Sequence, residues 1–323
     1  MLAVLGILTV LVLIAGFVAW EVRRFAQIPR VDVAAVQPPT GGGAANWLLV
    51  GTDSRDGISP DEPNAGAFLG EVVTGTRTDT IVVVRADGAS GAVDVLSIPR
   101  DLWVPIDGVG TGRINGAYNG GRDGGGGPQR LVATVEANLG IEINHYAEVD
   151  FVGFRDVVDA LGGITVEFPN PTRDVRSGLV VDTPGPNVLD GEQALALARS
   201  RTYEELVDGA WRVDPTGDIG RTERQRLLLA RIVDAAGSAI GPTGVLTVDR
   251  VLAAGADSMV LDRGTSLSAV LDLVRTTAAV GADGVTSHAL PVSDHVTGGG
   301  AQVLVLRDAE AGAVLDRFRT STG

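Results

Sequence analysis

Trp47-Leu48-Leu49-Val50-Gly51-Thr52-Asp53-Ser54-Arg55 is the stretch that decides the fold of this chain. Its opening run of apolar residues reads as a strand too apolar on both faces for a solvent-exposed edge, and a polar cluster begins where the strand stops. Thr80 to Val84 and Val93 to Ile98 are further runs rich in Val, Leu and Ile, and Ile164 to Phe168 and Val303 to Leu306 add two more strands. Between them the apolar spacing changes to that of helices. Asp150 can cap a helix carrying Phe151, Phe154, Val157, Val158 and Leu161, which Gly162-Gly163 ends. Further helices are predicted from Leu131 to Asn138, Gly191 to Leu197, Glu223 to Ala236 and Ser266 to Thr276, with a short one after Asp308. Strands and helices in this mixed order predict an α/β fold, a central mixed β-sheet covered by helices on both faces.

Upstream of the first strand lie two segments of different character. Leu2 to Trp20 is an uncharged, almost wholly apolar run of 19 residues, about the length that crosses a bilayer as a helix. A single membrane-spanning helix is therefore expected, with residues 1–24 as anchor, 25–45 as linker and the folded domain over 46–323. The linker reading rests on Pro29, Pro38, Pro39 and the Gly41-Gly42-Gly43 run, which suit a tether over Ile28 to Ala45. Arg23 and Arg24 follow the span and nothing basic precedes it, so the positive-inside bias by itself would leave the domain in the cytoplasm.

Composition narrows the chemistry. The 323 residues are 45% hydrophobic, enough for a full core, and 40 acidic against 26 basic residues give a formal charge of −14. Nucleic acid is excluded as a partner, because there is no cationic excess from which to build a phosphate footprint. Cys is absent, every basic residue is Arg, and His occurs only at His145, His288 and His295. Thiol nucleophiles, thiolate zinc sites, Schiff-base lysines and the lysine of a phosphate-binding loop all drop out. Gly120 to Gly127, which lacks that lysine, reads as a flexible loop.

What remains are carboxylates and guanidinium groups. Asp53 directly follows a buried strand, Asp79 directly precedes one, and Arg100 with Asp101 follows a third, at the strand ends where α/β sheets place their sites. Arg199 and Arg201 are two apart, which on an extended segment puts both on one face, where an anion between them would relieve their repulsion. Arg221 and Gln225 are four apart at a predicted helix start, and the same face continues through Leu228, Leu229 and Ile232. One helix could thus hold a phosphate at its start and a lipid chain along the apolar stripe beyond it, while a stripe at this spacing also reads as ordinary core, the more common case. Arginines set beside apolar strands in an acidic chain point to a multiply charged anion such as a pyrophosphate. Two strand-end aspartates suit a hard divalent cation such as Mg²⁺. Taken singly, Asp53 with Arg55, or Asp79 with Arg77, also reads as an ordinary salt bridge.

The motifs resemble a known family in order and spacing. Leu48-Leu49-Val50-Gly51-Thr52-Asp53-Ser54-Arg55, Arg77-Thr78-Asp79-Thr80, Leu96-Ser97-Ile98-Pro99-Arg100-Asp101 and Arg113-Ile114-Asn115-Gly116-Ala117-Tyr118 are similar to segments of LytR-CpsA-Psr proteins. So are Val149-Asp150-Phe151-Val152-Gly153-Phe154, Leu189-Asp190-Gly191-Glu192-Gln193-Ala194-Leu195 and Gly220-Arg221-Thr222-Glu223-Arg224-Gln225. The resemblance covers about Trp47 to Val233. It implies a single-pass membrane enzyme whose catalytic domain lies outside the cell, a phosphotransferase moving a glycopolymer from a polyprenyl-pyrophosphate carrier to a peptidoglycan acceptor through a phosphodiester. Carried over position by position, it implies that Asp53 and Asp79 hold Mg²⁺ or Mn²⁺, that Arg77, Arg100, Arg199, Arg201, Arg221 and Gln225 hold the pyrophosphate, and that the isoprenoid lies in an apolar tunnel between sheet and helices. The long stretch between Asp53 and Arg77, and Thr202 to Ile219, are insertions relative to the compact family pattern. Richness in Ala, Val, Gly and Arg without Lys looks like a high-GC, actinobacterial genome.

With this residue set, catalysis means positioning and charge neutralisation, with Asp79 and Asp101 both open as the general base and Arg100 beside them. Two rival readings use the same residues: a polyprenyl-pyrophosphate phosphatase, with water as acceptor, and a non-catalytic lipid-carrier binding or regulatory module.

Overall fold

The computed structural model describes residues 22–39, 43–52, 78–118, 126–239, 251, 254 and 259–319, with a few side chains in those ranges, Asp79 among them, left outside the description. The central sheet has seven strands: β1 (Arg30–Val31), β2 (Ala45–Thr52), β3 (Thr78–Asp87), β4 (Ala92–Ile98), β7 (His145–Val149), β14 (Met259–Asp262) and β15 (Val285–Ala289). Their order is β1-β14-β7-β2-β3-β4-β15, with β1/β14, β7/β2 and β4/β15 parallel and the other pairs antiparallel. The mixed sheet agrees with the expectation, and β2 lies inside it, as its two apolar faces require.

Alternation along β2, β3 and β4 divides the core into two layers. Leu48, Val50, Ile81, Val83, Leu96 and Ile98 face one side, where they pack with Leu131, Val132 and Val135 of α1 (Pro128–Leu139) and with Ala311 and Leu315 of the C-terminal helix Asp308–Leu315. Trp47, Val82, Val84, Val93 and Val95 face the other side, toward Leu229 of α4 (Asp218–Ala239) and Ala269, Val270 and Leu273 of α5 (Leu267–Gly284). Helices thus cover both faces.

A second core joins α4 to α2 (Phe151–Ala160), β8 (Ile164–Phe168) and α3 (Gly191–Arg199). Asp150 caps α2 by accepting from the Gly153 N–H at 2.8 Å, and Asp190 caps α3 by accepting from Gln193 at 2.9 Å. Two glycines fix how these elements meet. Gly163 (φ 91°) turns the chain after α2 where a Cβ would stand 2.8 Å from the Leu189 carbonyl, and a Cβ on Gly191 would stand 2.2 Å from the Arg155 carbonyl. The insertion Thr202 to Ile219 contains the hairpin β12 (Glu204–Val207) and β13 (Ala210–Val213), which joins β9 (Thr172–Asp174) and β10 (Leu179–Val181) in a four-stranded sheet.

Two expectations about the N-terminal region meet the structure differently. Leu2 to Trp20 lies outside the described residues, and among those described no helix is long and apolar enough to cross a membrane. The Ile28 to Ala45 tether is corrected. Phe25 and Ile28 are buried with Ala147 and Leu261, Arg30 and Val31 pair with Leu261 and Asp262, and Val33 enters the main core. The Arg30 guanidinium donates to the carbonyls of Asp262 (3.1 Å) and Thr265 (2.7 Å). The folded unit therefore includes Phe25. A two-residue strand has no periodicity to read, and its partner lies more than 200 residues along the chain.

Candidate active site

Antiparallel and parallel pairing bring four strand ends to one end of the central sheet. Thr52 at the end of β2 pairs with Thr78 at the start of β3, Ile81 pairs with Ile98 at the end of β4, and Gly51 pairs with Val149 at the end of β7. Asp53, Asp79, Pro99-Arg100-Asp101 and Asp150 follow or begin from these four ends. The register also explains Asp79: Gly51 pairs with Thr80 and Thr52 with Thr78, so Asp79 is the extra residue of a β-bulge, a device that re-aims a side chain beside a site. Asp53 and Arg77 lie outside the described residues, as does the Asp79 side chain.

Thr52 and Thr78, the residues before the two aspartates, are buried, and neither hydroxyl has a hydrogen-bond partner among the described residues. Buried hydroxyls of this kind, each followed in sequence by an aspartate, are oxygen donors of the type that suits a hard cation with its phosphate ligands. Among the described residues, no group of three or more His, Asp or Glu side chains forms a metal-binding cluster elsewhere.

Arg100 is half-buried, with its Nε 3.5 Å from Asp101 Oδ2. The other Asp101 oxygen lies 3.1 Å from Arg113 Nε, so this carboxylate sits between two guanidinium groups. Asp150, by contrast, is half-buried near Glu148 and Asp156, and burial first, then these charges, push its carboxyl above the usual range despite its capping bonds.

The α3–α4 contact assembles the remaining arginines. Arg199 is the last residue of α3, its guanidinium 5.0 Å from the centre of the Phe151 ring, and Arg201 is exposed just beyond the cap residue Ser200. The extended segment expected around this pair is corrected: the helix runs on through Arg199, a favourable residue in a last turn. Ser200, between the two arginines, is extended, and one of the arginines is exposed while the other is half-buried.

Asp174, fully buried at the end of β9, orders this junction. It accepts from Ser200 Oγ (2.7 Å), Arg201 N (3.0 Å), Thr202 N (2.8 Å), Thr202 Oγ1 (2.7 Å) and Arg176 N (2.9 Å). Burial alone would raise its carboxyl; the donated hydrogen bonds outweigh that and hold it below the usual carboxylate range. Composition and spacing give no sign of this residue, because most of its partners, backbone N–H groups and hydroxyls of Ser200 to Thr202, lie about 26 to 28 residues further along the chain.

Arg221 is buried in the first turn of α4. Gln225 donates through Nε2 to the Ala198 carbonyl at 3.1 Å, tying α4 to α3. Arg224 braces the same junction, donating to Asp214 Oδ2 (2.8 Å) and the Ser200 carbonyl (3.0 Å) with its guanidinium 4.5 Å from the centre of the Tyr203 ring.

The apolar stripe on α4 splits. Leu228 and Ile232 pack with Val158, Val166 and Leu197 in the second core, and only Leu229 faces the central sheet. Leu228 and Ile232 are therefore corrected from lipid-facing to core positions. Leu228 and Leu229 point about 100° apart on a helix, so one stripe serves two neighbours. The residue leading to Leu229 on the sheet-facing side is Arg226, which sequence reasoning missed; its Nε donates to Ser97 Oγ on β4 at 3.0 Å.

Known proteins resemble this chain in sequence and fold. The LytR_cpsA_psr family model matches residues 24–320. The probable cell wall biosynthesis protein LcpB of Corynebacterium glutamicum is 33% identical over 234 residues, 72% of this chain and 51% of that protein. A protein of Oceanobacillus iheyensis named polyisoprenyl-teichoic acid–peptidoglycan teichoic acid transferase TagU is 36% identical over 196 residues, 60% of this chain and 52% of its own. The chain thus spans about half the length of these two curated relatives. Among solved structures, a LytR-Csp2A-Psr enzyme from Actinomyces oris superposes with a TM-score of 0.67 at 28% identity, covering 91% of this chain and 96% of that one. By its sequence over residues 24–320 and by its fold, this chain belongs to the LytR_cpsA_psr family.

Proposed function

We propose that this protein is a phosphotransferase that moves a glycopolymer from a polyprenyl-pyrophosphate carrier onto peptidoglycan through a phosphodiester. The observation that carries this reading is that Arg100 follows the end of β4, Arg199 lies against Phe151 just after the end of β7, and α4, with Arg221 in its first turn, reaches β4 through Arg226 and Ser97. A sheet end rich in guanidinium groups suits a diphosphate, and the apolar layer between the sheet and Leu229 begins directly behind it. The names of the relatives support the same substrate class.

In this reading the acceptor sugar hydroxyl attacks the phosphorus nearer the glycan. The bond from that phosphorus to the bridging oxygen breaks, and polyprenyl phosphate departs. The arginines hold the phosphate oxygens in line and offset the charge that spreads over them, the main contribution a protein makes to phosphoryl transfer. Asp101 is engaged by Arg100 and Arg113, so Asp79, on its bulge, takes the proton of the attacking hydroxyl. Asp53 and Asp79, with the Thr52 and Thr78 hydroxyls beside them, would hold Mg²⁺ or Mn²⁺. A bound cation there supplies Lewis-acid neutralisation of the phosphate oxygens. The apolar run Leu2 to Trp20 would anchor the domain at the outer face of the cell membrane, where the acceptor lies.

A reaction with a lipid-pyrophosphate-linked saccharide as donor and a peptidoglycan fragment as acceptor tests this. The expected product is a phosphodiester-linked conjugate together with lipid monophosphate. Glycan phosphate released to water with no conjugate would indicate a phosphatase, and binding without turnover a carrier-binding module. Arg100→Ala and Arg201→Ala should each slow transfer about 10- to 100-fold in a folded protein, since each removes a charge-assisted phosphate contact of roughly 1.5–3 kcal/mol. EDTA, or Asp53→Ala with Asp79→Ala, should stop turnover without lowering the melting temperature; full rate after chelation rules out the cation.

A further inference from the structure

The first half of α4 carries a cation that the proposed transfer has so far left unused. Arg226 is half-buried on the helix side that faces β4, and its Nε donates to Ser97 Oγ at 3.0 Å. Among the described residues that hydroxyl is its one partner. Its neighbours on the same helix differ: Arg224 is held by Asp214 at 2.8 Å and Arg231 reaches Asp234 at 3.4 Å. Glu223, one turn earlier, is exposed and makes no ion pair with Arg226. Burial accordingly weighs against the charge of this guanidinium, with Glu223 acting on it only at a distance.

Position says what the cation faces. Ser97 lies three residues before Arg100 and pairs with Val82. Leu229, less than one turn after Arg226, packs against Val82, Val84, Val93 and Val95. Arg226 therefore stands between the end of β4 that leads to Arg100 and the apolar layer behind it. A guanidinium has five N–H donors in a rigid fork, and Ser97 occupies one. A guanidinium with one partner among the described residues, set between a helix and a sheet, is costly to keep charged unless an anion completes it.

We propose that Arg226 binds the lipid-side phosphate of the carrier, the group that departs as polyprenyl monophosphate, with Ser97 orienting the guanidinium. The proposal rests on the transfer reaction above and extends it, dividing the diphosphate between two sets of cations. Arg100, Arg199, Arg201 and Arg221 hold the phosphate that goes to the acceptor, and Arg226 neutralises the one that leaves.

The test uses the full chain and two probes, farnesyl monophosphate and farnesol. Arg226→Gln should weaken farnesyl monophosphate binding by about 10-fold or more while leaving farnesol unchanged, because only the phosphate meets the lost charge. Arg226→Lys should recover part of the loss, and Ser97→Ala should give a smaller loss than Arg226→Gln. Equal losses of farnesyl monophosphate and farnesol would make Arg226 a latch between α4 and β4 and overturn the proposal, as would unchanged monophosphate binding in a folded Arg226→Gln protein. Should Arg226→Gln fail to fold, the Lys variant decides: monophosphate affinity and selectivity over farnesol both retained support the site, and selectivity lost overturns it. The transfer assay separates this inference from the reading beneath it. Conjugate formed by Arg226→Gln at the wild-type rate sinks the inference alone. No conjugate from the wild type, with monophosphate binding still dependent on Arg226, sinks the transferase reading alone.

Discussion

Asp174→Ala is expected to lower the stability of the domain by roughly 3–5 kcal/mol and to stop transfer, although Asp174 touches no substrate in the proposed reaction. The carboxylate is fully buried and accepts from two hydroxyls and four backbone N–H groups between Arg176 and Thr202. Truncating it strands these donors in the interior, each at a cost of about 1–3 kcal/mol that is only partly additive. The Arg201 N–H is among them, so the segment holding Arg199 and Arg201 loses its anchor, and a misplacement of about 1 Å is enough to cost two orders of magnitude in rate. Urea unfolding and the conjugate assay read the two effects; wild-type turnover in the variant would mean that the arginine segment is held elsewhere. The pH dependence gives an independent check. The hydrogen bonds keep this carboxyl below its unfolded-state value, so its contribution is full at neutral pH and is lost as pH falls below about 4 toward the folded-state value. Asp174→Asn, which cannot titrate, should show a flatter decline in stability over that acid range.

The second large effect separates two neighbouring leucines. Leu228→Asp should unfold the domain, since Leu228 is 1% exposed in the core shared by α2, α3, α4 and β8, and an unpaired charge there costs several kcal/mol. Leu229→Asp should leave the domain folded, because Leu229 is only partly buried, and should weaken long-chain carriers far more than short-chain pyrophosphates. Only a long chain reaches the layer between α4 and the sheet, where Leu229 faces Trp47, Val82, Val84, Val93 and Val95. Melting curves with binding isotherms for a long and a short pyrophosphate analogue distinguish the outcomes. Equal losses of both ligands in a folded Leu229→Asp protein would remove this face of α4 from the hydrocarbon path.

Much of the site was legible because its signals are local. Strand runs ending in Asp53, at Asp79 and before Arg100 show in a few consecutive residues, and the Asp150 cap and the Gly162-Gly163 stop show in a single turn. The same local logic misled in two places. Pro and Gly between Ile28 and Ala45 read as a tether, although Phe25, Ile28 and Val33 are buried by partners from the far end of the chain. The stripe Leu228, Leu229 and Ile232 read as one surface, although a helix wedged between two layers presents one side to each.

By itself, then, the sequence determined the class of fold, the strand ends that carry chemistry and the arginine-and-carboxylate character of that chemistry, since apolar periodicity and residue type act over a few residues. Only the tertiary structure decided which strand ends meet, that Asp174 anchors the arginine segment, that Asp101 is engaged by Arg113, and that Arg226 rather than Gln225 leads α4 toward the sheet. Each of these depends on pairings between segments from about 10 to more than 200 residues apart, set by sheet register and helix rotation.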